Sequence, residues 1–182
     1  MDKSERGRNQ RGRNQRGRNH PSRRPAVQAE QLAAAGWRTL HLVDADNLLG
    51  DPHCTDAAHI RSVFDAYRTA ASFAAGDQVV VATGCNSRHV LSVELAWPGA
   101  CHRRRPGPDG ADMALLEESE WAASVGRFRR VVIGSGDRIF LAALDLLRAA
   151  DIVVDVVSRR RSMSSALAVR ALGSVQYLAE PA

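Results

Sequence analysis

From residue 37 onward, short unbroken apolar runs alternate with segments of helical periodicity. TLHLV (39–43), QVVVAT (78–83), RRVVIG (129–134) and DIVVDVVS (151–158) read as strands, and consecutive valines predict burial on both faces. Ile60, Val63, Phe64 and Tyr67 follow the i, i+3, i+4, i+7 spacing of one buried helix face, with Asp56 placed to cap it. ADMALLEESEWAAS (111–124) and RIFLAALDLLRAA (138–150) are helical; a last helix is expected near 162–171 and a short strand at SVQYL. HVLSVELAW (89–97) is ambiguous, with a helix as one option, and CHRRRPGPDG (101–110) reads as a basic loop. Strands separated by helices predict an α/β fold, a Rossmann-like α/β/α sandwich on a mainly parallel central sheet. Ligands of such sheets bind beyond the carboxyl ends of the strands.

The first 27 residues follow no such pattern. RGRNQ at 6–10 recurs at 11–15 and, as RGRNH, at 16–20. With nothing apolar to bury, this tail cannot offset the entropy of ordering and is expected to be disordered. HPSRRPAV (20–27) reads as a linker, and a short helix around 28–35 leads into a domain spanning 28–182. Charge divides at the same place. Residues 1–25 hold nine basic and two acidic side chains, a net +7, and the remainder holds 16 basic and 18 acidic, a net −2. The pI of 9.8 therefore belongs to the tail. Arginines such as Arg8, Arg13 and Arg18, set among Gly, Asn and Gln, suit loose contact with RNA phosphates and stacking on exposed bases; the plainer alternative is a solubilising extension.

Apolar residues make up 45% of the chain, yet no run approaches the roughly 18–20 needed to cross a bilayer. No hydrophobic segment follows the basic N-terminus, so a cytoplasmic protein without membrane partners is expected. Cys54, Cys85 and Cys101 form no close pair and read as reduced thiols. A homodimer or another protein partner stays open.

Three acids fall where ligands should bind. Asp44 follows the first strand, Asp137 follows VVIGSG, and Asp112 opens a helix whose Leu115, Ser119 and Ala122 share its face. Carboxylates gathered within a few ångströms repel unless protons or a cation intervene. Such a cluster suits Mg²⁺ or Mn²⁺, hard ions that keep several waters and can act on a phosphodiester. Each acid also has an ordinary use: Asp112 and Asp137 can cap helices, and Asp44 or Asp46 can close a turn.

VDADNLLG, GADMALLEES and VVIGSGDRIFLAALDLLRAADIVVDVVS together resemble the NYN domain, a branch of the PIN-like ribonucleases. The shared pattern is a strand ending in Asp with Asn three residues on, a Gly-x-Asp opening a helix, and Ser-Gly-Asp ending a strand. Here these are Asp44 with Asn47, Gly110-Ala111-Asp112, and Ser135-Gly136-Asp137, within a resemblance covering roughly residues 37–178. It implies a PIN-like, metal-dependent endoribonuclease in which Asp44, Asp112 and Asp137 bind the metal. It also implies that Asn47 orients an acid or a substrate phosphate and that Ser135 supports the last aspartate. The chain departs from the pattern where a fourth acid is common, because Ile139 stands there. Asp46 is the nearest substitute; Glu117 and Glu118 point off the face of Asp112. Pro108-Asp109 replace a basic residue before Gly-x-Asp, leaving Arg103, Arg104 and Arg105 to meet phosphate from the same loop.

Two other readings compete. Asp44 and Asp46, Thr83, and Gly136-Asp137 resemble motifs of haloacid-dehalogenase-like phosphatases, with Asp44 as nucleophile and Asp46 as general acid/base. That chemistry normally uses a lysine, and the chain's one lysine is Lys3 in the tail; Leu141 replaces that family's last acid. The second alternative is an RNA-binding adaptor of the same fold, weak or inactive in catalysis, for which Ile139 is the main support. His41 is expected to be packed within its strand, and no histidine shows metal-ligand spacing. Arg159–161 either extend a phosphate-binding surface or form a solvated loop.

Overall fold

The structure, a computed structural model, describes residues 23–179 apart from 52 and 172. The expected disordered tail, with Arg8, Arg13 and Arg18, lies outside the described residues. A helix, α1 (Arg23–Ala34), precedes β1 (Arg38–Asp44) and the short α2 (Ala45–Leu49). Then come α3 (Ala57–Ala70), β2 (Gln78–Gly84), α4 (Val90–Ala96), β3 (Cys101–Arg105) and α5 (Gly110–Val125). β4 (Phe128–Gly134), a 3-10 turn (Arg138–Phe140), α6 (Leu141–Ala149), β5 (Val153–Ser158), α7 (Ser165–Arg170) and β6 (Val175–Tyr177) complete the described chain.

The six strands form one sheet in the order β3-β2-β1-β4-β5-β6, and every pairing is parallel. Successive residues of the apolar strands are buried on opposite faces. Leu40, Leu42, Val131, Ile133 and Val156 pack with Leu115, Phe140 and Leu144 on one side. Val43, Val81, Val132 and Val157 pack with Ile60, Phe64, Tyr67 and Trp97 on the other. This two-sided burial explains the runs without polar alternation. From β1 the chain winds outward to β2 and β3, and it then returns to β4 and winds the other way. The reversal lies between β1 and β4, the place where doubly wound sheets open a crevice at their carboxyl ends.

The expected architecture is present, with corrections at its margins. CHRRR is a strand and not part of a loop: β3 pairs with β2, His102 lying opposite Val81. It is an edge strand whose side chains are all at least partly exposed, so it carries no apolar alternation to read. Segment 23–27 is helical rather than linker, and Pro25 is compatible with a first helical turn, whose N–H groups lack intrahelical acceptors. The ambiguous 89–97 segment contains α4, which buries Val93 and leaves Leu91 and Leu95 exposed, so its apolar residues mark no single face. α7 is shorter than the 162–171 expected.

Polar groups are also buried. His41 shares hydrogen bonds with Tyr67 (3.1 Å) and Asp77 (3.2 Å), and burial lowers its pKa, in keeping with a packed role. Arg130 donates to Asp155 (2.7 Å) and to the Ala71 carbonyl (3.0 Å). Asp56 caps α3 by accepting from the N–H groups of Ala58 (2.8 Å) and His59 (3.3 Å). Asp56→Ala is expected to cost about 1 kcal/mol of stability, read as a lower urea midpoint with an unchanged slope. Among the described residues no helix is long and apolar enough to cross a membrane. The three cysteines are free thiols.

Candidate functional site

At the carboxyl end of β1, Asp44 stops being strand and caps α2. One carboxylate oxygen, Oδ1, accepts from the Asn47 N–H (3.0 Å), and Oδ2 accepts from the Ser135 hydroxyl (3.0 Å). The Asn47 side-chain oxygen in turn accepts from the Gly136 N–H (3.0 Å). Ser135 Oγ also receives the Asp137 N–H at 3.3 Å. Four residues, Asp44, Asn47, Ser135 and Asp137, thus stitch the end of β1 to the end of β4 across the topological reversal. Ser135 thus meets the Asp44 carboxylate and, of Asp137, the backbone N–H, while the Asn47 side chain meets the Gly136 backbone.

Asp112 comes in from α5 on the same side. Burial and the neighbouring Asp112 carboxylate push Asp44 from 3.8 up to about 8, against the bonds from Asn47 and Ser135 that favour its charged form. Asp112 rises to about 6, chiefly through burial and then through the charge of Asp137, while a hydrogen bond with Asp44 works the other way. Burial and mutual repulsion thus raise both carboxyls, so the pair resists full ionisation. One oxygen of Asp112, Oδ1, is buried and has no hydrogen-bond partner. Helix capping does not explain this residue. Asp109 occupies the N-cap of α5 and Asp112 lies inside the first turn.

Asp137 is exposed and makes the ordinary cap contact as well, accepting from the Ile139 N–H at 2.9 Å. Asp46 has both oxygens engaged: it accepts from the Gly84 N–H (2.7 Å) and the Ser87 hydroxyl (2.8 Å), and pairs with His89 (2.6 Å). Burial would raise Asp46, but these three partners outweigh it and hold the carboxyl below its ordinary range. Asp46 serves as a tie to the loop after β2 and not as a free fourth acid. His89 and Ser87 were not legible as its partners, since they lie some forty positions away with no shared motif.

Matches to this chain are absent among known protein families, curated proteins and solved structures. The donors themselves must then say what they can hold. Among the described residues no group of three or more His, Cys, Asp or Glu side chains stands close enough to bind a metal ion. In kind, however, the donors fit a hard cation: two mutually repelling carboxyls in contact, a third acid acting on one of them, and a buried carboxylate oxygen without a partner. A divalent ion placed there would relieve the same repulsion.

Arg103, Arg104 and Arg105 on β3 are paired, with Glu118, Glu94 and Glu117 respectively. The two glutamates, expected to point off the face of Asp112, are partners of arginines on β3. Arg159, by contrast, is half-buried. It donates through Nε and Nη2 to Ser162 Oγ (3.2 and 2.8 Å) and through Nη1 to the Leu49 carbonyl (3.2 Å), so it is no solvated loop residue.

Proposed function

We propose that the chain is a metal-dependent endoribonuclease of the NYN branch of the PIN-like ribonucleases. The observation that carries this reading is the Asp44–Asp112 pair, two carboxyls raised well above the ordinary range at the reversal point of a parallel sheet. Raised carboxyls oppose folding at neutral pH, and arrangements of this sort concentrate where charge is needed for chemistry. Asp44, Asp112 and Asp137 would hold Mg²⁺ or Mn²⁺. Such an ion lowers the pKa of a bound water and neutralises charge on a phosphodiester. Ser135 and Asn47 fix the orientation of Asp44 and the backbone at Gly136. Asn47 then keeps its amide donors for a phosphate oxygen. The arginine-rich repeats of residues 6–20 add affinity for RNA without sequence preference.

A second reading, an RNA-binding adaptor, is favoured by Ile139 in the fourth acid's place and by the engagement of both Asp46 oxygens. The phosphatase reading needs Asp46 as a mobile acid/base, which those same contacts oppose.

Incubation of the full chain with single-stranded RNA and Mn²⁺ is expected to yield endonucleolytic fragments, and EDTA to prevent them. Binding without cleavage in either condition would select the adaptor. Phosphate release from small phosphomonoesters, with RNA left intact, would select the phosphatase.

A further inference from the structure

A cavity of about 630 Å³ opens on the α3 side of the sheet, within the range of about 300–1,000 Å³ typical of small-ligand sites. Leu48, Leu49, Val63 and Leu178 supply apolar walls, and Arg159 and Arg161 line it at the carboxyl end of β5. Ser162, which accepts from Arg159, packs its carbonyl against Gly136, between Ser135 and Asp137.

The two arginines decide its character. Arg103, Arg104 and Arg105 are each neutralised by a glutamate, whereas Arg159 has no acidic partner and Arg161 is exposed without an ion pair or side-chain hydrogen bond among the described residues. Asp65, the acid lining the cavity, is already paired with Arg68 at 2.6 Å. The position of Arg159 is built in. Gly50, in the left-handed region at φ +68°, leaves the space its guanidinium fills, and a Cβ there would overlap it. An apolar chamber beside two uncompensated guanidinium groups suits a flat apolar group attached to an anion.

We infer that this cavity receives one nucleotide of a single-stranded RNA, its base against the half-buried Val63 and Ala66 of α3 and its phosphate against Arg159 and Arg161. The inference rests on the nuclease reading for the neighbouring acids, and it names the strand-binding surface that the paired arginines of β3 do not provide.

The test uses the full chain in EDTA, with a short fluorescein-labelled oligouridine followed by anisotropy across a salt series. Ser62 is exposed on α3 and lines the cavity, so Ser62→Trp is expected to fill it without harming the fold and to weaken binding about tenfold. Arg161→Gln is expected to reduce the slope of log affinity against log salt by about 0.7, the value for one phosphate contact on a single strand. An oligouridine carrying 4-thiouridine should crosslink to residues 59–69 or 159–161. Wild-type affinity and slope in both variants, or crosslinks confined to 103–105, would overturn the inference. So would a Ser62→Trp variant whose sedimentation changes while its RNA affinity does not, since the occupant would then be a second copy of the chain. Loss of the nuclease reading looks different: crosslinks at the cavity persist, but Mn²⁺ produces no cleavage.

Discussion

Replacing Asp112 with asparagine is expected to stabilise the protein at pH 8 and to abolish its metal-dependent cleavage of RNA. Asp44 keeps its proton to about pH 8 in the folded chain, and Asp112 to about 6, against 3.8 for either without the fold. A proton bound more tightly in the folded state favours folding below pH 3.8, and that advantage is lost as pH rises through 6 and then 8. Asp46 and Asp77 shift the opposite way, so their contribution is lost towards acid pH. The melting temperature of the wild type should therefore peak at mildly acid pH and fall towards pH 8. Asp112→Asn removes one of the repelling charges. Because Asp112 is only half-buried, its share is discounted to roughly 1 kcal/mol, equivalent to a rise of about 2–4 °C at pH 8. Mn²⁺ should raise the wild-type melting temperature at pH 8 by binding the folded state, and should leave the variant unchanged. Cleavage should fall by more than about a hundredfold, the upper end seen for groups one step removed from a metal. Thermal melts at pH 6 and 8, in Mn²⁺ and in EDTA, read all of this. A variant less stable than wild type at pH 8, together with a wild type indifferent to Mn²⁺, would make the carboxyl pair a structural feature.

The parts of this arrangement differ in how well the sequence announces them, for physical reasons. β1, β2, β4 and β5 are buried on both faces, so their apolar runs are unbroken and legible. β3 lies at the edge with arginines at three of five positions, and nothing in CHRRR separates such a strand from a loop. Asp44 and Asp137 were legible because strand ends locate them, and both turned out to perform the ordinary capping task and to sit beside the other acids. The contacts of Asp46 were not. Its partners Gly84, Ser87 and His89 reach it only because β2 lies next to β1, and that adjacency is a property of the fold. Arg159 was undecidable for a similar reason: its anchors, Leu49 and Ser162, belong to different segments brought together at the carboxyl ends of β1 and β5.

Gly110 and Gly136, in two of the three shared motifs, lie against backbone too closely for a side chain. Gly136 lies with its N–H on Asn47 and its carbonyl accepting the Ser164 N–H at 2.8 Å, wedged between the segment after β4 and the one after β5. A Cβ at this position would overlap the Ser162 carbonyl and the Ser158 hydroxyl. Gly110 is similar, since a Cβ there would overlap the Arg105 carbonyl at the end of β3. Neither clash is with the movable end of a side chain, apart from the Ser158 hydroxyl, so backbone must shift. Gly136→Ala is expected to cost roughly 3 kcal/mol, the upper end for overpacking, and to lower the melting temperature by about 6–12 °C. The shift would pull the Gly136 N–H from Asn47 and loosen Ser135 from Asp44. Cleavage should then fall even at temperatures where the variant stays folded, as happens when groups around a reacting centre move by an ångström. Gly99→Ala is the matched control: nothing lies within 4 Å of its Cβ position, so stability and cleavage should both be unchanged. If Gly136→Ala instead melts and cuts like the wild type, the loop between β4 and α6 yields freely, and close backbone packing is not what holds Ser135 and Asp137 beside Asp44.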